Sequence, residues 1–271
     1  KNTRLALDSL GFNERMLSDW QSMVEQPNGV VLVTGPTGSG KSTTLYSVLS
    51  QLDTEEINVS TIEDPIEAQI NNINQSQINE RAGFTFSKAL RSMLRQDPDV
   101  LMVGEIRDSE TASIVSQAAL TGHLVFSTLH TNDSISAVTR LINLGIEPYL
   151  VAATVRGVLA QRLVRKICPH CKTGWEGDLA VRQACGQGEF FKGAGCNRCR
   201  GTGYAGRIGI FELLIPTTEL LEAIGRGESL QGLRSMLVET NHFTLRNDGI
   251  EKVHLGLTTP EEVLCMTRIA A

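Results

Sequence analysis

The chain has 271 residues, of which 41% are hydrophobic and 20% are charged, a balance typical of a globular protein with a sizeable buried core. Its net charge of −5 argues against a protein whose main role is to cover nucleic acid with a basic surface. The longest candidate membrane segment, residues 149–164, contains Arg156, Gln161 and Arg162 and is too short to cross a bilayer as a helix. Because the chain starts at Lys1 without a signal-peptide pattern, we expect it to be a fragment of a longer protein.

Short apolar runs alternate with segments of helical period from about residue 29 to 165, which predicts a parallel α/β sheet. We expect strands at 30–35, 57–65, 99–105 and 123–130. The predicted helices lie at 41–52, around 86–94, after Asp108 or Ser109, from about 133 to 145, from Pro148 to about Ile167, around 218–240 and at 260–271. Residues 168–204 are rich in Gly and Cys, so we predict a core at 1–167, an inserted module at 168–204 and a mainly helical part at 205–271.

Residues 35–42, GPTGSGKS, fit the pattern G-x-x-x-x-G-K-[ST] between a predicted strand and a predicted helix. In such a loop, glycines allow backbone N–H groups to face phosphate oxygens, the lysine reaches the β- and γ-phosphates, and the hydroxyl binds Mg²⁺. A Gly-rich turn without a ligand is the alternative. The residues predicted to bind ATP and Mg²⁺ are Gly35, Pro36, Thr37, Gly38, Ser39, Gly40, Lys41, Ser42 and Thr43, with Ser42 as the Mg²⁺ ligand.

Polar residues stand at the carboxyl ends of the other predicted strands, the edge where ligands of an open parallel sheet bind. Glu63 and Asp64 end the second strand, and Glu105 follows the third, where Gly104 takes the place of a more usual Asp. Any one of these residues alone is more often a capping or solvated side chain. Together they favour a catalytic edge, and which of Glu63 and Glu105 is the general base stays open.

Histidines and arginines extend the candidate site. His130 follows the fourth strand and could sense the γ-phosphate, although a structural histidine is an equally good interpretation. His123 precedes that strand and ranks lower. Arg91 and Arg95 are four apart on one helix face, where they could neutralise charge in a transition state or form a solvated surface.

Four cysteines, Cys168, Cys171, Cys196 and Cys199, form the pattern C-x₂-C-x₂₄-C-x₂-C. This spacing suits a structural Zn²⁺ held by four thiolates, with no open position for a catalytic water. A redox pair is the rival interpretation of either C-x₂-C motif. Cys185 and Cys265 are left over and are expected to be packing residues.

Four segments in this order, GPTGSGKSTTLY, TIEDPIE, LRSMLRQDPDVLMVGEIRD and TGHLVFSTLHTND, followed by the cysteine pairs, closely resemble the secretion-traffic ATPases. Within them, the chain is similar to type II secretion ATPases (GspE) and type IV pilus assembly ATPases (PilB). The resemblance extends from about residue 5 to the end of the chain. Pilus retraction ATPases generally lack the cysteine module, so the resemblance favours an assembly ATPase.

This resemblance implies a RecA-like core in a homo-hexameric ring, whose ATP turnover drives a membrane-embedded platform that assembles a pilus or pseudopilus. It implies cytoplasmic location, with inner-membrane platform and adaptor proteins as partners and only peripheral, indirect membrane contact. It places Glu63 and Asp64 in an acidic box, Glu105 in an atypical Walker B motif, and His123 and His130 in a histidine box. Arginines implied to meet phosphate or a neighbouring subunit are Arg91, Arg95, Arg107 and Arg207.

Two other classes of function stay open from the sequence. A nucleic-acid translocase of RecA type would share the fold and the ring, but the acidic charge and the lack of interleaved aromatic and basic residues count against it. A nucleotide-dependent switch or scaffold would bind ATP with negligible turnover. The sequence contains no [NT]-K-x-D motif, which argues against a GTPase.

Overall fold

The computed structural model describes the backbone of residues 7–268 and the side chains of residues 9–268. The strands are β1 Gly29–Thr34, β2 Val59–Glu63, β3 Asn74–Gln77, β4 Val100–Val103, β5 Leu124–Leu129, β6 Val155–Ile167, β7 Lys172–Trp175, β8 Phe190–Gly193 and β9 Tyr204–Leu214. The helices are α1 Glu14–Val24, α2 Lys41–Leu49, α3 Phe86–Met93, α4 Ser109–Leu120, α5 Ser134–Asn143, α6 Pro148–Thr154, α7 Leu179–Cys185, α8 Thr218–Gly225, α9 Leu230–Glu239, α10 Leu245–His254 and α11 Pro260–Met266. Short 3₁₀ helices lie at Leu7–Leu10, Glu80–Ala82 and Asn197–Cys199.

The chain divides into two compact units. The first comprises Lys1–Ala160 and Leu213–His242, and the second comprises Gln161–Glu212 and Phe243–Ala271. The three-part division at 1–167, 168–204 and 205–271 partitions the chain differently and stays a prediction. The last three residues of the helix predicted at 260–271 lie outside the described residues.

The predicted parallel sheet is confirmed: β1 to β6 pair in parallel, within a seven-stranded sheet of order β3-β2-β4-β5-β1-β6-β9. In the first unit, β1, β2, β4 and β5 are buried along their whole length, as expected for parallel strands covered on both faces. Their register aligns the carboxyl ends: Thr34 pairs with Leu129, Val103 with Ser127, and Ile62 with Val103. The segments that follow these strands therefore meet at one edge.

Side-chain caps fix where two helices of the first unit begin. Asp108, one of the two residues expected to precede α4, caps this helix by accepting a hydrogen bond from the Thr111 N–H at 2.8 Å. Asp133 caps α5 by accepting from the Ser136 N–H at 2.8 Å. These caps satisfy first-turn N–H groups that have no partner within their own helix.

The helix predicted from Pro148 to Ile167 is wrong beyond Thr154. The chain leaves α6 there and continues as β6, which pairs in parallel with β1 up to Thr34 and Ala160. Apolar runs such as this one fit both the helical and the strand period. Here the hydrogen-bonding edge of β1 stabilises a strand. Gly157 in β6 also lies against α1, because a Cβ there would stand 1.9 Å from the sulfur of Met23.

Several elements were not predicted from the sequence, among them strand β3 and helix α10. The polar strand β3 has exposed and half-buried residues and lies at the outer edge of the sheet, beside β2. Helix α10 has only a weak apolar stripe, and it carries a buried ion pair between Asp248 and Lys252. Burial lowers the pKa of Lys252, and the Asp248 carboxylate opposes this.

In the second unit, β7 and β8 pair antiparallel, with Lys172 opposite Gly193 and Trp175 opposite Phe190. A small apolar cluster lies beside them, formed by Val181, Cys185, Phe190, Val253 and Val263. Among residues 7–268, no helix is both long and apolar enough to span a membrane.

Candidate functional site

The phosphate loop joins β1 to α2 and has the backbone that its glycines allow. Gly35, Gly38 and Gly40 have φ angles of +150°, +77° and +89°, conformations in which a Cβ would be strained. Gly40 is the N-cap of α2 and has no side chain to occupy the first-turn N–H groups. These groups are therefore available to an anion at the positive end of the helix. Pro36 and Thr37 are exposed beside them.

Lys41 is folded over this loop. Its Nζ donates hydrogen bonds to the carbonyl oxygens of Gly35 at 2.8 Å and Pro36 at 3.1 Å. Burial lowers the pKa of Lys41, an effect that the nearby charges of Glu105 and Glu67 oppose. Ser39 Oγ is also buried and has no hydrogen-bond partner in the described structure. An ammonium group and an orphaned hydroxyl at one loop fit a bound phosphate chain, the group that the motif predicts.

Glu63, at the end of β2, is buried and held by three side chains. Thr61 Oγ1 and Gln75 Nε2 donate to its Oε1 at 2.5 Å and 3.0 Å, and the Tyr46 hydroxyl donates to its Oε2. A carboxylate offers about four acceptor positions, so these donors leave about one free, on Oε2. The carboxylate thus has a fixed orientation and room for one further donor.

Glu105 comes just after β4, which pairs with β2, the strand that ends in Glu63. Glu105 is the centre of a charged cluster. Its carboxylate pairs with Arg107 through Oε1, and His130 Nε2 lies 3.4 Å from Oε2. Arg107 also reaches Asp64, with 3.9 Å between Nη1 and Oδ2. The hydrogen bond to Glu105 raises the pKa of Arg107. The structure therefore brings Glu63, Asp64, Glu105, Arg107 and His130 to the edge that carries Lys41.

The close packing around Gly104 explains why a glycine precedes Glu105. Its N–H donates to the Ile62 carbonyl at 2.8 Å, and a Cβ at this position would stand 3.2 Å from that oxygen and 3.5 Å from the Glu63 Cα. The carbonyl of Gly104 accepts from Thr128 Oγ1 at 2.6 Å. Close packing of three strand ends thus fixes the backbone that presents Glu105.

Four other predicted site residues do not belong to the charged cluster around Glu105. His123 lies at the amino end of β5, where its Nδ1 is 2.9 Å from the Ala118 carbonyl, at the opposite edge of the sheet. Arg91 is exposed and pairs with Glu110 at 3.2 Å, and Arg95, just past the end of α3, is exposed. Arg207 is an exposed residue of β9 in the second unit. Their catalytic or nucleotide-binding roles stay predictions.

Sequence reasoning missed three residues that surround the site: Tyr46, Gln75 and Glu67. Glu67 Oε1 accepts from Ser42 Oγ at 3.3 Å, which places an extra carboxylate beside the predicted Mg²⁺ ligand. For Tyr46 a sequence signal was present, because it follows Ser42 by four residues and so lies on the same helix face. Gln75 gave no signal, since it lies on the unpredicted strand β3.

The four predicted zinc ligands come together in the second unit. All four sulfur atoms lie within 4.8 Å of one another, and three of the pairs are 3.7–3.9 Å apart. A tetrahedral site with zinc–sulfur bonds of about 2.3 Å has sulfur–sulfur edges of about 3.8 Å. None of the four cysteines forms a disulfide. The donor set and its spacing therefore fit a structural Zn²⁺.

At Cys199 the backbone favours thiolate, the form that binds metal, whereas burial raises the pKa of Cys171. Burial raises the pKa of Cys199, but N–H groups of Cys196 and Gly203 donate to its sulfur at 3.2 Å and 3.3 Å and, with the neighbouring thiols, lower the pKa to about 6. Gly203 also packs against Gly193, where a Cβ would stand 2.0 Å from the Gly203 carbonyl oxygen. Glycines are thus required for the two cysteine loops to meet.

A phosphate loop on a parallel sheet, with carboxylates at the neighbouring strand ends, defines a P-loop nucleotide-binding protein. Residues 1–265 match the sequence model of the family described as "Type II/IV secretion system protein", and the chain belongs to this family. The predicted membership and the predicted α/β fold with a tetracysteine module are confirmed.

Curated relatives agree with this assignment. The chain is 48% identical to the type IV pilus assembly ATPase PilB of Thermus thermophilus, over 96% of this chain and 30% of that protein. It is also 48% identical to the type II secretion system ATPase E of Vibrio cholerae, over 98% of this chain and 54% of that protein. The chain thus spans about half or less of the length of these relatives.

Solved structures show the same fold. The pilus retraction motor PilT with bound ADP matches with a TM-score of 0.72 and 30% identity, over 97% of this chain and 67% of that one. The ATPase DotB of Legionella pneumophila matches with a TM-score of 0.71 at 23% identity, over 96% of this chain and 64% of that one.

Proposed function

We propose that this chain is the ATP-hydrolysing part of a homo-hexameric motor that powers assembly of a type II secretion pseudopilus or a type IV pilus. The observation that carries the proposal is the meeting of Lys41, Glu63 and Glu105 at one edge of the sheet, around a loop built for phosphate. The names of the curated relatives support the coupling to secretion or pilus assembly. The PilT structure, which contains bound ADP, supports an adenine nucleotide as the ligand.

Each residue at this edge has a role that its contacts support. Lys41 exchanges its two carbonyl partners for phosphate oxygens and neutralises charge as the γ-phosphate leaves. Three donors fix the orientation of the Glu63 carboxylate and leave about one acceptor position free. Glu63 uses this position to orient the attacking water. Ser42 and Glu67 are placed to hold Mg²⁺, which supplies charge neutralisation when bound.

The charged cluster around Glu105 connects the site to its surroundings. Glu105 has Arg107 and His130 as partners, so a phosphate at the loop competes for both cations. His130 is half exposed and can turn from Glu105 towards the terminal phosphate. Arg91, Arg95 and Arg207 are exposed and are assigned to a neighbouring subunit's nucleotide.

The proposal also covers the setting of the motor. Zn²⁺ at the cysteine cluster has a structural role, since four thiolates leave no open position. The proposed partners are five further copies of the chain and the inner-membrane platform and adaptor proteins of a secretion or pilus system. The proposed location is cytoplasmic, with peripheral and indirect contact to the inner membrane.

Steady-state ATP hydrolysis by the full chain, with Glu105→Gln beside the wild type, tests this function. We expect turnover with Mg²⁺ in the wild type and a loss of about a hundredfold or more in Glu105→Gln, since Arg107 and His130 lose the carboxylate that positions them at the site. Glu56→Gln, at an exposed glutamate, is the matched control and should hydrolyse ATP like the wild type. A chain that binds ATP without turnover would be a switch or scaffold, contrary to the proposal.

A further inference from the structure

Tyr46 connects two parts of the site through a single hydroxyl group. The side chain leaves α2 one turn after Ser42 and is half-buried. Its hydroxyl donates to Glu63 Oε2 and accepts from the backbone N–H of Glu67 at 3.2 Å. An N–H group can only donate, so the hydroxyl accepts from Glu67 and keeps its own proton for the bond to Glu63. Burial, followed by the bond to Glu63, raises the pKa of Tyr46, so the phenol keeps its proton.

The second bond determines where the turn after β2 lies. With its N–H held by Tyr46, Glu67 directs its side chain back to the phosphate loop, where Oε1 accepts from Ser42 Oγ at 3.3 Å. The Glu67 charge also reaches Lys41, whose pKa it raises against the effect of burial. The Glu67 carboxylate thus faces Ser42 and Lys41, the two side chains of the loop that would meet Mg²⁺ and phosphate.

We propose that Tyr46 is a positioning residue, whose hydroxyl holds the Glu63 carboxylate and the turn carrying Glu67 against the Ser42 end of the phosphate loop. Tyr46 acts through these carboxylates and does not contact the nucleotide. The proposal rests on the proposed ATPase function, because it assigns the geometry that Glu63 needs for the attacking water. Helix α2 carries Tyr46 and begins at the loop, so the same rigid element places phosphate, Ser42 and the carboxylate's donor.

Tyr46→Phe removes the hydroxyl and keeps the ring, so it tests the hydroxyl alone. We expect kcat for ATP to fall about ten- to hundredfold, the effect of losing one hydrogen bond to a charged group. The Kd of a fluorescent ATP analogue should stay within about twofold, because the loop backbone and Lys41 are untouched. Tyr149→Phe is the matched control, since Tyr149 is 61% exposed. An unchanged kcat in Tyr46→Phe would overturn the proposal.

A double-mutant cycle tests whether Tyr46 acts through Glu63. In a Glu63→Gln background, Tyr46→Phe should have little further effect on kcat, because the carboxylate it positions is gone. Multiplicative losses in the double variant would show that Tyr46 acts by another route, and the proposal would fail.

A measurement without nucleotide separates this proposal from the ATPase function itself. Amide hydrogen exchange at Glu67 should be at least about tenfold faster in Tyr46→Phe than in the wild type and in Tyr149→Phe, because the N–H loses its acceptor. Equal exchange in the three proteins would contradict the positioning role even if ATP is hydrolysed. If Tyr46→Phe exchanges faster but the wild type hydrolyses no ATP, the proposed function is contradicted, whereas the role of Tyr46 in placing Glu67 still holds.

Discussion

The residues of the phosphate site come from four strand ends between residues 35 and 130, whereas the cysteine cluster takes its ligands from two loops between residues 168 and 199. The strands behind the phosphate site are fully buried, so the edge exists before any nucleotide arrives. The cysteine loops lie in a unit whose described apolar cluster beside the hairpin β7 and β8 is small. The sheet therefore builds the first site, whereas we expect the second to depend partly on a bound metal.

The largest effect should follow from breaking the cysteine cluster. We expect the double variant Cys168→Ser and Cys171→Ser to lose zinc and to exchange its amide hydrogens faster across 168–204, since structural zinc contributes about 10–16 kcal/mol in small zinc peptides. Zinc content and hydrogen exchange measure this. Cys265→Ser, at an exposed cysteine, is the control and should keep its zinc. Wild-type protein without zinc, or a double variant with unchanged exchange, would contradict the metal's structural role.

Lys41→Ala should have a large effect on activity and a small one on the fold. We expect ATP hydrolysis to fall at least about a hundredfold, because the cation that meets the γ-phosphate is removed. The melting temperature should stay close to that of the wild type, since the strands behind the loop form without Lys41. Lys88→Ala changes an exposed lysine and serves as the control. If Lys41→Ala unfolds the chain or hydrolyses ATP normally, the contrast between the two sites is wrong.

Asp108→Ala should have the smallest effect, confined to stability. Asp108 accepts from the Thr111 N–H at 2.8 Å and from Thr111 Oγ1 at 3.0 Å at the start of α4. Loss of this cap should lower the free energy of unfolding by about 1 kcal/mol in urea denaturation, with kcat within about twofold of wild type. Ser109→Ala, one residue further on, is the reference. If both variants are equally stable, Asp108 does not stabilise the protein as the cap of α4.

Much of both sites could be predicted because each depends on local patterns. The phosphate loop and the cysteine pairs have fixed spacings, and the strand ends follow from buried apolar runs that a parallel sheet aligns. Asp108 and Ser109 were the two candidates for the start of α4, because aspartate and serine both suit the position before a helix.

The remaining features depend on tertiary partners that no local pattern contains. Residues 155–167 form β6 because the edge of β1 is free to pair, although their apolar run also suits a helix. Gln75 reaches Glu63 only because the polar strand β3 pairs with β2. The place of His123 at the far edge follows from strand direction, as its position before the predicted strand indicated, although the histidine-box resemblance does not show it.

The most direct test is a crystal structure of the full chain with Mg²⁺ and a non-hydrolysable ATP analogue. We predict that Lys41 Nζ leaves the carbonyl oxygens of Gly35 and Pro36 for the phosphates. The carboxylates of Glu63 and Glu105 should then lie within about 5 Å of Mg²⁺ or of a water facing the γ-phosphate, the reach of one bridging water. A bound triphosphate with both carboxylates beyond that distance would contradict the catalytic edge.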